Sequence, residues 1–262
     1  MIQRALTVIA AALLPAIAGC AESNARFMTN ARKNTGLVVI LPGIEGESPA
    51  NQDVRRGLDA AGAPRGLAIW HWGRPIPGIG MILNQIDFVG NRLAGERIAK
   101  RIMEYQDEYP GRPVHIVGHS GGGGVAVFAA EALPEGRKID GLVLLSASIH
   151  RSYDVTKAMK RLRCGIVNFY NEGDVALLGI GTTVMGNVDG TRGGSAGLVG
   201  FDRPGPSADG EKRLAYSRVY NRPLRGAMLD GAFDPHFSTT RHEFVMRYVS
   251  PWVLAGRWPV GS

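Results

Sequence analysis

The stretch Val114-His115-Ile116-Val117-Gly118-His119-Ser120-Gly121-Gly122-Gly123-Gly124-Val125 decides the fold. Three of its first four residues are β-branched and apolar, which predicts a buried strand at Val114–Val117. Gly118 to Gly122 then fits the spacing G-x-S-x-G, and the small residues from Gly122 to Leu133 predict a helix. A serine on so sharp a strand-to-helix turn has strained backbone angles, so the flanking residues must be tiny. The turn lifts the hydroxyl above the sheet and aims the first helical amides at negative charge developing there. The glycines also satisfy the dinucleotide spacing G-x-G-x-x-A at Gly121–Ala126. That reading wants an acidic residue at the end of the next strand, which here ends in Ser146-Ala147-Ser148. It also wants the motif to open its domain, and here two strands precede it. No lysine follows to make a phosphate loop. A purely structural glycine turn is the third reading.

Working outward, apolar runs alternate with amphipathic stretches. Strands are predicted at Leu37–Leu41, Leu67–Trp72, Leu142–Leu145 and Ile166–Tyr170, with a weaker one at Leu214–Tyr220. Helices are predicted at Asp53–Ala61, Asn91–Tyr109, Val155–Leu162 and Arg241–Val249. In the second of these, Ala94, Ile98, Ile102, Tyr105 and Tyr109 share one face, and Pro110 ends it. Nearly continuous apolar strands separated by helices predict an α/β fold: a doubly wound, mostly parallel sheet of about six strands flanked by helices. Only one helix fits between Leu145 and Ile166, so no cap domain is inserted there. Residues 179–210 contain ten glycines and form a connection long enough to be a functional loop.

Composition narrows the function. The 262 residues are 45% hydrophobic and 20% charged, which suits one large globular domain. Two cysteines exclude a disulfide-stapled scaffold and a thiolate zinc site, so no metal and no cofactor is expected. The net charge of +7 is spread over single residues and pairs such as Arg55-Arg56, Lys100-Arg101 and Lys160-Arg161. No basic tract is interleaved with aromatics, so nucleic acid is not an expected partner.

The first 19 residues read as an address. Arg4 precedes an apolar stretch, Ala5–Ala18, too short to span a bilayer, which is the layout of an export signal. Ile17-Ala18-Gly19-Cys20 closes it and resembles the lipobox of bacterial lipoproteins, in which the cysteine is acylated and becomes the first residue. The resemblance implies cleavage before Cys20, a tether over 20–35, a domain over 36–262, and a lipid-anchored protein of the bacterial cell envelope. Ala21, where aspartate would mark inner-membrane retention, points to the outer membrane.

At Val114–Gly122 the chain resembles the α/β-hydrolase fold family, and the order of elements extends the resemblance from Gly36 to Leu254. The resemblance implies a Ser–acid–His triad in that chain order and an oxyanion hole built from two amides. Carried onto this sequence, the elbow is Ser120 between Gly118 and Gly122, and the amides are those of Gly121 and Ile44. Two features depart from the pattern. Pro42-Gly43 stands where His-Gly is usual, and the Glu45 carboxylate follows so closely that it must point away or be paired. The acid falls in the turn Asn171-Glu172-Gly173-Asp174, with Asp174 first choice, Glu172 its rival, and Asp154, at a helix N-cap position, the outside candidate. His71, His115, His119 and His150 precede that acid, which leaves His236 and His242 as the base. Thr240-Arg241-His242-Glu243 reads as a capping box, placing His242 on a first helical turn and His236 in the loop before it. His236 is therefore preferred. The implied function is a serine hydrolase cleaving an ester or related acyl bond in a small or lipid-like substrate. The alternatives are an acyltransferase using the same serine and a non-catalytic envelope scaffold. Trp70 and Trp72 are candidates to wall an acyl pocket or to fill the core.

Overall fold

The computed structural model describes residues 24–73, 84–175, 186–231 and 234–259. Six strands, β1 (Leu37–Leu41), β2 (Gly66–Ile69), β3 (Val114–His119), β4 (Ile139–Leu145), β5 (Leu162–Tyr170) and β6 (Val219–Pro223), form one sheet in the order β2-β1-β3-β4-β5-β6. Every pairing is parallel, with Leu37 opposite Gly66 and Val114, Leu142 opposite Ile116, and Ile166 opposite Val219. Parallel strands need crossovers, and the helices that supply them cover both faces. The major helices are α1 (Pro49–Ala60), α2 (Phe88–Glu108), α3 (Gly121–Ala132) and α4 (Gly210–Tyr216).

Alternation along the strands divides the core. Val39, Leu41, Ile116, Leu142, Leu144 and Ile166 pack with Ala94, Ile98, Ile102, Val125 and Phe128 of α2 and α3. Val38, Ile40, Val117, Val143, Leu145, Val167 and Phe169 pack with Val54 and Leu58 of α1 and with Phe244, Val245, Val249 and Val253 near the C-terminus. Strands buried on both sides read as unbroken apolar runs, which is why the sequence betrays them.

The order reverses direction between β1 and β3, since β2 lies to one side and β4 to β6 lie to the other. At such a switch point the loops leaving the two strands diverge and open a crevice at their carboxyl ends. The turn containing Ser120 and the loop containing Ile44 leave from these two strands.

Several expectations need correction. Residues 24–35, read as tether, fold onto the domain: a 3-10 turn at Asn24–Phe27 precedes a helical turn at Asn30–Lys33. Phe27 is fully buried beneath the Arg55 guanidinium, and Lys33 accepts a 2.7 Å hydrogen bond from the Tyr105 hydroxyl through its carbonyl. Leu214–Tyr220 is not one strand. Asp209 caps α4 by accepting from the Lys212 amide at 2.7 Å, Leu214 is exposed, and the strand begins at Val219. The helix expected from Asp53 begins at Pro49, because Asn51 accepts from the Ser48 amide and proline suits a first helical position. The helix expected at Val155–Leu162 is one turn, Thr156–Met159. The capping box at Thr240 does not form. The Thr240 hydroxyl donates instead to the Phe237 carbonyl inside a 3-10 turn, and the terminal helix starts at His242, passes through a π turn at Val245–Val249 and ends at Leu254. The signal segment and Cys20 lie outside the described residues.

Candidate active site

Ser120 has φ 51° and ψ −122°, and the only other non-glycine residue with positive φ among those described is Ser146. A side chain in this region costs on the order of 1–3 kcal/mol and persists only where its surroundings enforce it. Here the enforcement is visible. The Ser120 amide donates to the Leu145 carbonyl and its carbonyl accepts from the Ser148 amide, both at 2.9 Å, clamping the turn to the end of β4. A Cβ on Gly118 would stand 2.5 Å from the Gly122 carbonyl oxygen, and one on Gly122 would collide with the Pro42 carbonyl. Both glycines are therefore demanded by close backbone approach. The Ser120 side chain caps no amide of α3, so its hydroxyl is not engaged by its own helix.

The structure brings Asp174 and His236 together across 62 residues of chain. His236 Nδ1 lies 2.6 Å from Asp174 Oδ2, with side chains 6% and 2% exposed, which is charge-assisted hydrogen-bond geometry sheltered from water. Asp174 sits just beyond β5, in a turn closed by its own amide donating to the Asn171 carbonyl. The loop carrying His236 is fixed from three sides. The His236 amide donates to Asp234 at 2.7 Å, Asn171 Nδ2 donates to the Pro235 carbonyl at 3.0 Å, and the His119 ring packs 4.8 Å from that of His236. His119 immediately precedes Ser120, so His236 lies against the turn. Because Asp174 engages Nδ1, Nε2 is the ring nitrogen turned away from the carboxylate.

The competing candidates go elsewhere. Glu172 is exposed in the turn. Asp154 accepts from the Thr156 amide at 2.9 Å in an Asx turn and pairs with Lys212 at 2.8 Å on the surface, while Val155 takes the N-cap position of the helical turn that follows. His242 opens the terminal helix and packs its backbone against Gly57 of α1.

The amides of Ile44 and Gly121 have no backbone partner among the described residues, and a Cβ on Gly121 would stand 2.9 Å from Ile44 Cγ2. The Ile44 loop is held by Asn84 Nδ2, which donates to the Ile44 carbonyl at 3.1 Å, and by Trp72 Nε1, which donates to the Pro42 carbonyl at 2.7 Å. Trp70 and Trp72 are both buried in the core, and Trp72 also reaches the surroundings of Gly121. A cavity of about 210 Å³ lies beside this loop, lined by Trp72, Asn84, Asn91 and Arg97 among others. Of the Gly-rich segment, Val188 packs against Gly121 and Gly124, and its amide donates to the Ser148 carbonyl at 3.2 Å.

Sequence reasoning missed Asn171, Asn84 and Asp234, whose side chains bind backbone atoms of the site loops. An Asx turn was legible at Asn171 and Asp234; nothing in the sequence marks Asn84. It also missed that Glu45 faces His119, at 3.8 Å between Oε1 and Nδ1. Burial pushes the Glu45 carboxyl up, but the attraction of His119, the residue's own backbone amide and the more distant His236 outweigh it and hold the carboxyl below its ordinary value. No group of three His, Cys, Asp or Glu among the described residues could hold a metal ion.

No protein-family model matches the sequence, and no curated protein matches it. Solved structures do match. Lipase B of Aspergillus fumigatus superposes with a TM-score of 0.51 at 13% identity, covering 85% of this chain and 53% of that one. The chain thus spans about half the length of that lipase. Dienelactone hydrolase of Anabaena variabilis (TM-score 0.45, 16% identity, 87% of this chain and 88% of that one) and a cutinase-like protein of Cryptococcus (0.44, 16%, 87% and 96%) are further matches. At 13% identity the likeness to the lipase establishes the fold alone.

Proposed function

We propose, from the premise that this chain has the α/β-hydrolase fold, that it is a serine hydrolase cleaving an ester or related acyl bond through an acyl-enzyme. The observation that carries the reading is the buried 2.6 Å contact between Asp174 and His236, set against a serine held at φ 51°. A binding scaffold has no use for a strained serine, a buried acid and a histidine in one place.

Each side chain then has a task. Asp174 holds the His236 ring with its proton on Nδ1, so Nε2 takes the proton of Ser120 as Oγ attacks the acyl carbon. The oxygen of the tetrahedral intermediate gains negative charge, and the Ile44 and Gly121 amides, oriented before substrate arrives, stabilise it. His236 returns its proton to the departing alcohol. Water then enters, activated by the same nitrogen, and releases the acid from Ser120.

The test combines three variants. Ser120→Ala and His236→Ala each remove turnover of p-nitrophenyl esters by several orders of magnitude, because members of such a unit fail together. Ser120→Ala also abolishes labelling by a fluorophosphonate. His242→Ala stays near the wild-type rate. Wild-type turnover in Ser120→Ala would sink the mechanism, and a dead His242→Ala with an active His236→Ala would reassign the base.

We further propose that Cys20 is acylated and anchors the chain in the bacterial cell envelope, at the outer membrane. The small residues Ala18-Gly19 ahead of that cysteine support this reading.

A further inference from the structure

Beside the proposed triad lies a second carboxylate–imidazole contact that the mechanism leaves unused. Glu45 Oε1 and His119 Nδ1 are both buried, both lack a hydrogen-bond partner among the described residues, and face each other at 3.8 Å. The other nitrogen of His119, Nε2, lies 3.3 Å from the His236 carbonyl oxygen. Both ring nitrogens of His119 thus face oxygen. A neutral imidazole has one donor nitrogen, so it would set a lone pair against one of these oxygens; a doubly protonated ring turns an N–H toward each, at hydrogen-bond distance from the His236 carbonyl and at ion-pair distance from Glu45.

We propose that Glu45 and His119 form a charge-compensated positioning pair, a carboxylate and an imidazolium, linking the oxyanion loop to the base loop through the nucleophile turn. Glu45 is the neighbour of Ile44, whose amide is assigned to the oxyanion. His119 is the neighbour of Ser120 and holds the His236 backbone. Three elements, the loop after β1, the end of β3 and the loop before the terminal helix, are coupled by two side chains. The pairing also answers how a half-buried carboxylate is tolerated one residue from the amide assigned to the oxyanion, because His119 cancels its charge.

The charged and titratable groups around the pair are few. Glu45 faces His119 and, farther away, His236. His119 faces Glu45, the His236 ring and carbonyl, and the uncharged Phe237 ring at 5.2 Å. On the outer side, Glu47 is occupied by His71 at 3.0 Å.

This inference rests on the proposed serine mechanism for its kinetic consequences but not for its protonation state, and the two are tested separately. Removing His119 alone, as His119→Asn, strands the Glu45 charge beside the oxyanion and beside His236. It should lower kcat by about 10–100-fold and raise the acid limb of the kcat/KM profile by about one pH unit. Adding Glu45→Gln to His119→Asn removes the stranded charge and should recover most of kcat and return the acid limb. A merely structural contact predicts the opposite, a double variant no better than the worse single one. Independently of turnover, 15N NMR of the wild-type His119 ring at pH 7 should show both nitrogens protonated, and one nitrogen deprotonated in Glu45→Gln. A single-proton ring in the wild type overturns the proposal even if the enzyme is active. Additive losses in the double variant overturn it as well. If the wild type neither turns over esters nor labels at Ser120, the hydrolase reading fails and the NMR result still decides the pair.

Discussion

Replacing Gly118 with alanine adds one methyl group to the strand-to-helix turn that carries Ser120. The new Cβ would lie 2.5 Å from the Gly122 carbonyl oxygen and 2.8 Å from both the Gly122 carbonyl carbon and the Gly123 Cα. Carbon and carbonyl oxygen rest in contact at about 3.3 Å, so the first turn of α3 must retreat by roughly 0.8 Å. All three obstacles are backbone, so no rotamer change relieves them. Overpacking of this kind costs about 1–3 kcal/mol, equivalent to a Tm lower by roughly 4–8 °C at the midpoint of that range for a domain of this size. The retreat also carries Ser120 and the Gly121 amide with it, and a misplacement near 1 Å costs about 10²-fold in rate. The control is Gly210→Ala at the start of α4, where a Cβ meets nothing within 4 Å. It should leave activity unchanged and stability equal or higher by about 0.4–1 kcal/mol. Thermal unfolding followed by circular dichroism reads the first quantity. Ester turnover normalised to sites titrated by fluorophosphonate reads the second, independent of the folded fraction. Gly118→Ala with wild-type Tm and wild-type kcat would refute the steric argument. A lowered Tm with unchanged kcat per titrated site would refute its link to the oxyanion site.

Two further outcomes follow from burial and from the N-terminal segment. His115 is fully buried with Nδ1 2.9 Å from Arg65 Nη1, and burial together with the Arg65 charge lowers its pKa to about 3. The unfolded chain therefore binds this proton near pH 6.5 and the folded chain does not. Its contribution is fully present above that pH and is lost, at up to about 1.4 kcal/mol per pH unit, as pH falls from 6.5 toward 3. Urea unfolding between pH 7 and 5 should show this slope in the wild type and a shallower one in His115→Gln; parallel curves would discount the histidine. Acylation of Cys20 should make the wild type partition into a detergent phase and Cys20→Ser remain aqueous. An aqueous wild type would exclude the anchor.

Legibility followed the range of the physics. The strands at Leu37–Leu41 and Val114–Val117 and the turn at Ser120 could be read because burial on both faces and a tight turn leave local marks, whereas Asp174 and His236 were expected only through the family resemblance. Leu214 misled because an apolar residue exposed on a short helix looks like the start of the following strand. Residues 24–35 looked like tether because their docking depends on a pocket built by α1 and β2, which no local pattern encodes. The same holds for Glu45 and His119, 74 positions apart, and for Asn84, whose partner is a backbone carbonyl 40 positions away. Side chains that organise a site by bonding distant main chain carry no periodicity and no spacing.

The docking of Asn24–Phe27 sets a compass for the whole molecule. Met28 lies against Gly66, the first residue of β2, whereas Ser120, Ile44 and Asp174 follow the last residues of β3, β1 and β5. The chain enters at one pole of the sheet and the proposed chemistry sits at the other, separated by a strand of five residues, roughly 17 Å. From Cys20 to Asn24 there are four peptide steps, a reach of at most about 14 Å. With acyl chains on Cys20, a leash this short would press the entry pole to the bilayer and turn the mouth outward, toward molecules arriving through the aqueous space rather than lipids of the leaflet beneath it.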